Sequence, residues 1–376
     1  MYIKKIKSSA YRYFINMPGW ITSKKIVVFE SDDWGSIRMT SKDAYKAFLS
    51  SGLPVDKSVY NKYDAIESNK DLELLYDVLD SVKDRNGNPA IITINNIVAN
   101  PDFNKIKDND YRQYYYETFI KTLGRYPERD KVYELYKQGM HAKVIKPQYH
   151  GREHLNVNRW MNALRSKDKI VLDVFEWGMF SVNTGTNISC KDVFLDAYGI
   201  SDNIDKFKLK EIIEDGLKIF KDIIGYSSYS AMAPCYIWDD FVEDVLHSNG
   251  VKIIQSGIIQ YKPRNENKNT YEKIYHYQGQ RNRNGQIYLT RNCYFEPCFN
   301  DGMDHVGQCM KRIETAFRLL KPAIISSHRV NFMGYLYPEN RERSLRLLKR
   351  LLKEIVKKWP DVIFISSDML GKIIIK

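Results

Sequence analysis

Short apolar, β-branched runs recur along the chain, separated by stretches in which apolar positions repeat at helical spacing. The first kind reads as strands buried on both faces, the second as helices packed against them. The clearest strands are KIVVFES (25–31), AIITINNIV (90–98), HAKVIKPQY (141–149), SYSAMAPCYI (228–237), VKIIQS (251–256), QIYLTRN (286–292), AIISSH (323–328) and VIFISS (362–367). Helical spacing predicts helices over 71–83, 110–122, 129–138, 208–224, 239–249, 303–320 and 339–358, several opened by a capping Asp or Asn. Strand and helix alternate, which implies an α/β fold, a (β/α) barrel of seven or eight strands. A basic extension over 1–21 precedes one catalytic domain over 22–372. Within that domain the polar, Asn-rich stretch 261–285 reads as an excursion between two strands, and the intervals 34–88 and 152–227 hold loops and helices over the site.

Composition fits this reading: 43% of the residues are hydrophobic and 28% charged, as in a soluble globular protein. The formal net charge of +12 favours an acidic partner without naming one. The densest basic run, RSLRLLKRLLKEIVKKW (343–359), carries its leucines at helical spacing and reads as an amphipathic surface helix. No zinc-finger or RNA-binding signature accompanies the charge, so no nucleic-acid partner is expected. The opening MYIKKIKSSAYRYFINMPGW has no apolar run of signal-peptide or membrane-spanning length, which makes a cytoplasmic location the expectation. That segment is expected to pack on the barrel, with peripheral association with an anionic membrane surface as the alternative. The five cysteines are odd in number and form no CxxC pair, so they read as reduced, unpaired thiols.

Candidate chemistry collects at strand ends. The first strand ends in ESDDWGS and so delivers Asp32 and Asp33 to the C-terminal end, the active-site end of a β/α barrel. The third runs into QYHGREHLNVNRW, where three residues separate His150 from His154. If that segment turns helically, both imidazoles share a face and meet one cation, with the carboxylate of Asp33 as a third ligand. A three-ligand set leaves room for water or substrate, as catalytic zinc requires. AIISSHRVNF delivers His328 at a further strand end.

These residues resemble the polysaccharide deacetylase family, the NodB-like or carbohydrate esterase family 4 proteins of the glycoside hydrolase/deacetylase β/α-barrel superfamily. The Asp pair, the His pair one turn apart and the His closing a late strand follow the family's order over most of the chain. The resemblance implies a NodB-like barrel and a metal-dependent hydrolase that removes acetyl groups from a carbohydrate substrate. It implies a divalent metal ion, zinc first, on Asp33, His150 and His154, with Asp32 as general base and His328 as general acid. Tyr236 and its backbone are then expected to stabilise the oxyanion, and Trp34, Trp238 and Tyr236 to form an apolar wall against the sugar. The chain departs from the family in AMAPCYIW, which keeps Pro234, Tyr236 and Trp238 but has Met232 where an Arg is expected. Arg38, Arg152 or Arg329 is expected to substitute, and Asp304 or Glu296 to replace the acid of the family's fourth motif. Two other readings compete: a metal-free glycoside hydrolase on the same barrel, and a catalytically inactive glycan-binding barrel.

Overall fold

Parallel strands appear at all eight expected places: β1 (Ile26–Trp34), β2 (Ile92–Ile97), β3 (Ile145–Gly151), β4 (Ser230–Met232), β5 (Ile253–Ser256), β6 (Ile287–Thr290), β8 (Ala323–His328) and β9 (Ile363–Phe364), with a further short β7 (Cys293–Tyr294). They come from a computed structural model that describes residues 10–185, 189–200, 203–264, 270–299 and 302–376. The strands run β6-β5-β4-β3-β2-β1-β8-β7, with β9 beside the start of β1. The two edge strands, β6 and β7, are neighbours in the chain. Between them, Arg291 N–H donates to Ser256 of β5 and Asn292 N–H to Ile324 of β8, so the segment 287–294 closes the sheet into a ring.

Period-two alternation sorts the side chains of these strands. Val27, Phe29, Ile92, Ile94, Ile145, Ile254 and Ile325 point outward into a large apolar cluster with the surrounding helices. Ile26, Val28, Ile253, Ile287, Leu289 and Ile324 share a second cluster inside the ring, joined by Leu370 of the helix Ser367–Ile375, which closes that end. Burying each such side chain contributes about 1.5–3 kcal/mol. One layer higher the lumen turns polar, with Glu30, Thr93, Asn95, Gln148, Ser230 and Gln255 all buried. Four of them are linked across the ring: Asn95 Nδ2 donates to Gln255 Oε1 at 2.7 Å, Gln255 Nε2 to Ser230 Oγ at 2.9 Å, and Ser230 Oγ to Gln148 Oε1 at 2.9 Å. This layer is the floor beneath the strand ends that carry chemistry.

The intervals 34–88 and 152–227 supply the helices Lys42–Ser50, Val59–Tyr63, Val157–Arg165 and Lys169–Glu176, which build a separate apolar cluster around Met39, Phe48, Trp160 and Met179. A helix over 110–122 does not form. Asp102 caps a short helix Phe103–Asp108, Thr118 caps Phe119–Leu123, and an antiparallel pair, Ala99–Pro101 with Tyr116–Thr118, flanks the first of them in the chain. Asp110 and Tyr111 both take positive φ (49° and 59°), which a continuous helix cannot accommodate. The excursion at 261–285 contains an antiparallel hairpin, Ile259–Arg264 with Thr270–Tyr275.

The N-terminal extension, where described, packs on the closed end of the barrel. Trp20 N–H donates to Gln278 at 2.8 Å, and Lys321 Nζ donates to the carbonyls of Gly19 and Trp20. Phe14, Met17 and Ile21 remain exposed, and residues 1–9 lie outside the described set. Among the described residues no helix is long and apolar enough to cross a membrane. The expectation of five free thiols is corrected: Cys190 and Cys235 form a disulfide, and Cys293, Cys298 and Cys309 are free and buried. Disulfides persist in oxidising surroundings, so the cysteines no longer speak for a reducing compartment.

Candidate active site

A defect at the end of β1 creates the site. The β1–β2 register shifts between Ser31 and Trp34, and Asp33 adopts φ +75°. On a regular strand Asp32 and Asp33 would face opposite sides. The bulge instead turns both into one cavity of about 340 Å³. Aspartate tolerates the left-handed region better than most residues, whose cost there is about 1–2 kcal/mol. Gly35, at φ +79°, follows because a Cβ at that position would sit 2.3 Å from the carbonyl oxygen of Ile97.

His150, at the end of β3, places Nε2 3.6 Å from Asp33 Oδ1, and His154 places Nε2 3.3 Å from the same oxygen. One ligand atom from each of these three residues lies within 4.8 Å of the others, the one such group of His, Cys, Asp and Glu among the described residues. His154 arrives by an irregular turn after Gly151 (φ +134°) and not by the expected helical turn. His150 Nδ1 donates to the Met232 carbonyl at 2.8 Å, which fixes the tautomer and leaves the Nε2 lone pair facing Asp33. That buried Nε2 has no hydrogen-bond partner among the described residues, the state of a nitrogen arranged for a ligand. Burial pushes the pKa of His154 down to about 3 despite the pull of Asp33, so its imidazole is neutral, as a metal ligand must be. Burial would raise the pKa of Asp33, but the Arg38 guanidinium, whose Nη2 lies 3.3 Å from Asp33 Oδ2, is the foremost of the groups that hold it well below the ordinary carboxylate value. The residues present therefore suit a divalent cation, zinc included.

Asp32 has a different environment. Arg291 Nη1 donates to Asp32 Oδ2 at 2.6 Å and Nη2 to Oδ1 at 2.7 Å, and Asn95 Nδ2 adds a bond to Oδ1 at 2.7 Å. Arg291 Nε completes the arrangement with Glu30 Oε2 at 2.6 Å. Burial works against ionisation of Asp32, but the guanidinium prevails and holds the carboxyl far below its usual range. Across the cavity His328 Nε2 is 3.8 Å from Asp32 Oδ2, and its Nδ1 is 2.6 Å from Glu296 Oε1. Burial would lower the pKa of His328; Glu296, Asp32 and Asp33 together push it up to about 9, so it carries its proton at neutral pH.

Six of the eight anticipated side chains, Asp32, Asp33, His150, His154, Tyr236 and His328, thus line one cavity. Tyr236 N–H is already bonded to the Ala233 carbonyl at 3.2 Å, which leaves its hydroxyl, an acceptor from Arg291 at 3.0 Å, as the group facing the site. Trp34 and Trp238 form no wall. Both are fully buried in the outer core, with their indole N–H groups donating to Ser31 and Glu243. None of the three proposed arginines reaches Asp32. Arg38 pairs with Asp33 and Asp64, Arg152 with Glu153 and Asp215, and Arg329 with Asp64 and Glu67. Arg291, missed by the sequence reading, takes that place. The signal available was the one that found the others, a charged residue at the C-terminal end of a barrel strand, here QIYLTRN. Of the two acids considered for the fourth motif, Glu296 meets His328, whereas Asp304 caps the helix His305–Arg318.

No protein-family model matches the sequence, and no curated protein is significantly similar to it. Solved structures are. A Parabacteroides distasonis protein described as a glycoside hydrolase/deacetylase superposes with a TM-score of 0.51 at 8% identity, over 94% of this chain and 71% of that one. The two share a fold. A Mycobacterium smegmatis protein described as a polysaccharide deacetylase follows at TM-score 0.47 and 10% identity, over 95% and 92% of the two chains. A family 4 carbohydrate esterase from Streptomyces lividans, solved with acetate, gives 0.37 at 9% identity over 92% and 95%.

Proposed function

We propose that the protein is a metal-dependent hydrolase that removes acetyl groups from an amino sugar or another acetylated carbohydrate. The observation that carries this reading is the convergence of three metal-competent ligand atoms with two oppositely poised groups, an ionised Asp32 and a protonated His328, in a single cavity.

A carboxylate held as low as Asp32 is a weak base towards free water, so the reading needs an acidified water and a polarised carbonyl, the chemistry a bound divalent ion supplies. Arg291 and Asn95 fix Asp32 so that Oδ2 can accept the proton of the attacking water. His328, charged and oriented by Glu296, donates its proton to the departing amine or alcohol. The Tyr236 hydroxyl is the candidate donor to the developing oxyanion, a role worth about 2.7–4 kcal/mol in other enzymes.

The metal-free glycosidase is disfavoured by the same geometry. That mechanism needs one carboxyl group protonated as the acid. Here Asp32 and Asp33 both have lowered pKa values, and neither can hold a proton at neutral pH.

Metal content and acetate release, measured on the parent and on an Asp33→Ala, His150→Ala double variant, test the proposal. About one equivalent of zinc or a similar ion in the parent, absent from the variant, together with acetate release from an acetylated sugar panel by the parent alone, is the expected result. No metal in the parent after reconstitution sinks it. Metal bound without turnover favours an inactive glycan-binding barrel.

A further inference from the structure

The reactive groups lie buried at the floor of a partly open cavity: Asp32, Asp33, His150 and His154 are 3%, 5%, 2% and 5% exposed. Two segments from the long intervals also line that cavity, one through Tyr60 and Asn61, the other through Met179, Asn183, Cys190 and Leu195. They are fastened to each other and to the barrel. Asn61 Nδ2 donates to the Asn183 carbonyl at 2.5 Å, and Asn183 N–H donates back to Asn61 Oδ1 at 3.1 Å. Cys190 is cross-linked to Cys235, just beyond the end of β4 and beside Tyr236. Tyr60 packs edge-on against the ring of His328, with centroids 5.6 Å apart.

Volume and fastening limit what can enter. Small-molecule pockets span roughly 300–1,000 Å³, and this one, at about 340 Å³, stands at the small end. A sugar unit inside a polymer carries chain on both sides and needs a cleft open at both ends. The walls are joined through Asn61 and Asn183 and one of them is covalently tied to the barrel, so they resist being parted to admit a chain running through.

We propose that the enzyme acts on a single acetylated sugar unit, free or at the end of a chain, entering end-on, and not on units within a polymer. The proposal rests on the deacetylase reading and narrows its substrate class. The experiment uses the zinc-loaded full chain with acetylated monosaccharides and the matching tetrasaccharides of hexosamine and xylose. Acetate is quantified, and fragmentation mass spectrometry locates each lost acetyl group. The expected result is loss from the monosaccharide or from a terminal unit, with internal units slower by at least about tenfold in kcat/KM. The two arms separate a free sugar from a chain end as the substrate. Internal loss at a comparable rate overturns this inference and leaves the deacetylase reading intact. No acetate from any substrate overturns that reading and this inference with it.

Asn61→Ala combined with Cys190→Ser removes both fastenings, with circular dichroism as the check on folding. The internal-to-terminal rate ratio is expected to rise about tenfold. A merely structural role would slow both rates and leave the ratio unchanged, which in a folded variant counts against the proposal. Reducing the disulfide in the Asn61→Ala protein provides the same comparison should the double variant not fold.

Discussion

Arg291 grips Asp32 through both carboxylate oxygens, at 2.6 and 2.7 Å, while its remaining nitrogen holds Glu30 at 2.6 Å. One guanidinium thus serves two buried acids from adjacent inward positions of β1. Arg291→Met leaves Glu30 without a counter-charge and Asp32 with only His328, 3.8 Å away, and breaking a buried pair in this way costs about 3–5 kcal/mol. The expected outcome is a large drop in the denaturation midpoint. Arg291→Lys keeps the charge but loses the planar fork. It should fold and lose activity by about 10- to 100-fold, the usual range for a group that orients a reacting one. Unchanged kcat/KM in the Lys variant would remove Arg291 from the machinery.

Glu296 sets the upper pH limit. His328 must be protonated to act as an acid, and its pKa of about 9 keeps that form dominant below that pH and loses it above. Burial alone would push the value down; the Glu296 carboxylate is the largest opposing influence. In Glu296→Gln the alkaline limb of the kcat/KM profile should therefore move to lower pH. A limb that stays in place would detach His328 from the proton transfer.

The metal site can be read without turnover. An ion that binds only the folded protein stabilises it by about 2.7 kcal/mol at a hundred times its Kd. Zinc should raise the melting temperature of the parent and not that of Asp33→Asn. Asparagine is the better replacement because it tolerates the left-handed backbone at this position, φ +75°, where alanine would add strain. Equal zinc shifts in both proteins would place the ion elsewhere.

Why these residues were found and others missed follows from what period and proximity can encode. The eight strands were legible because β-branched runs flanked by helical spacing have few other uses, and strand ends of a barrel converge, so Asp32, His150 and His328 could be brought together from their positions alone. Arg291 also ends a strand, but nothing local says which acid it meets, because its contact with Asp32 spans 259 positions and depends on where the ring closes. Adjacency in the chain also misled. Trp34 follows Asp33 directly, yet the bulge that turns Asp33 inward leaves Trp34 in the outer core, its indole on Ser31. The Cys190–Cys235 pairing, 45 positions apart, has no local spacing to announce it.

That disulfide makes a further prediction, which thiol counting decides. Of the five cysteines, two are joined, leaving Cys293, Cys298 and Cys309. Burial pushes the thiol of Cys293 up to about 12 and raises those of Cys298 and Cys309 as well, so little thiolate forms near neutral pH and the folded protein should barely react with a thiol reagent. Unfolded without reductant, it should expose three thiols; with reductant, five. Closing a loop of 45 positions constrains the unfolded chain by roughly 4 kcal/mol on the entropy model. Cys190→Ser should accordingly lower stability by up to about that amount. Five reactive thiols in unfolded protein that has never met reductant would refute the cross-link and, with it, the covalent tie between the cavity wall and the barrel.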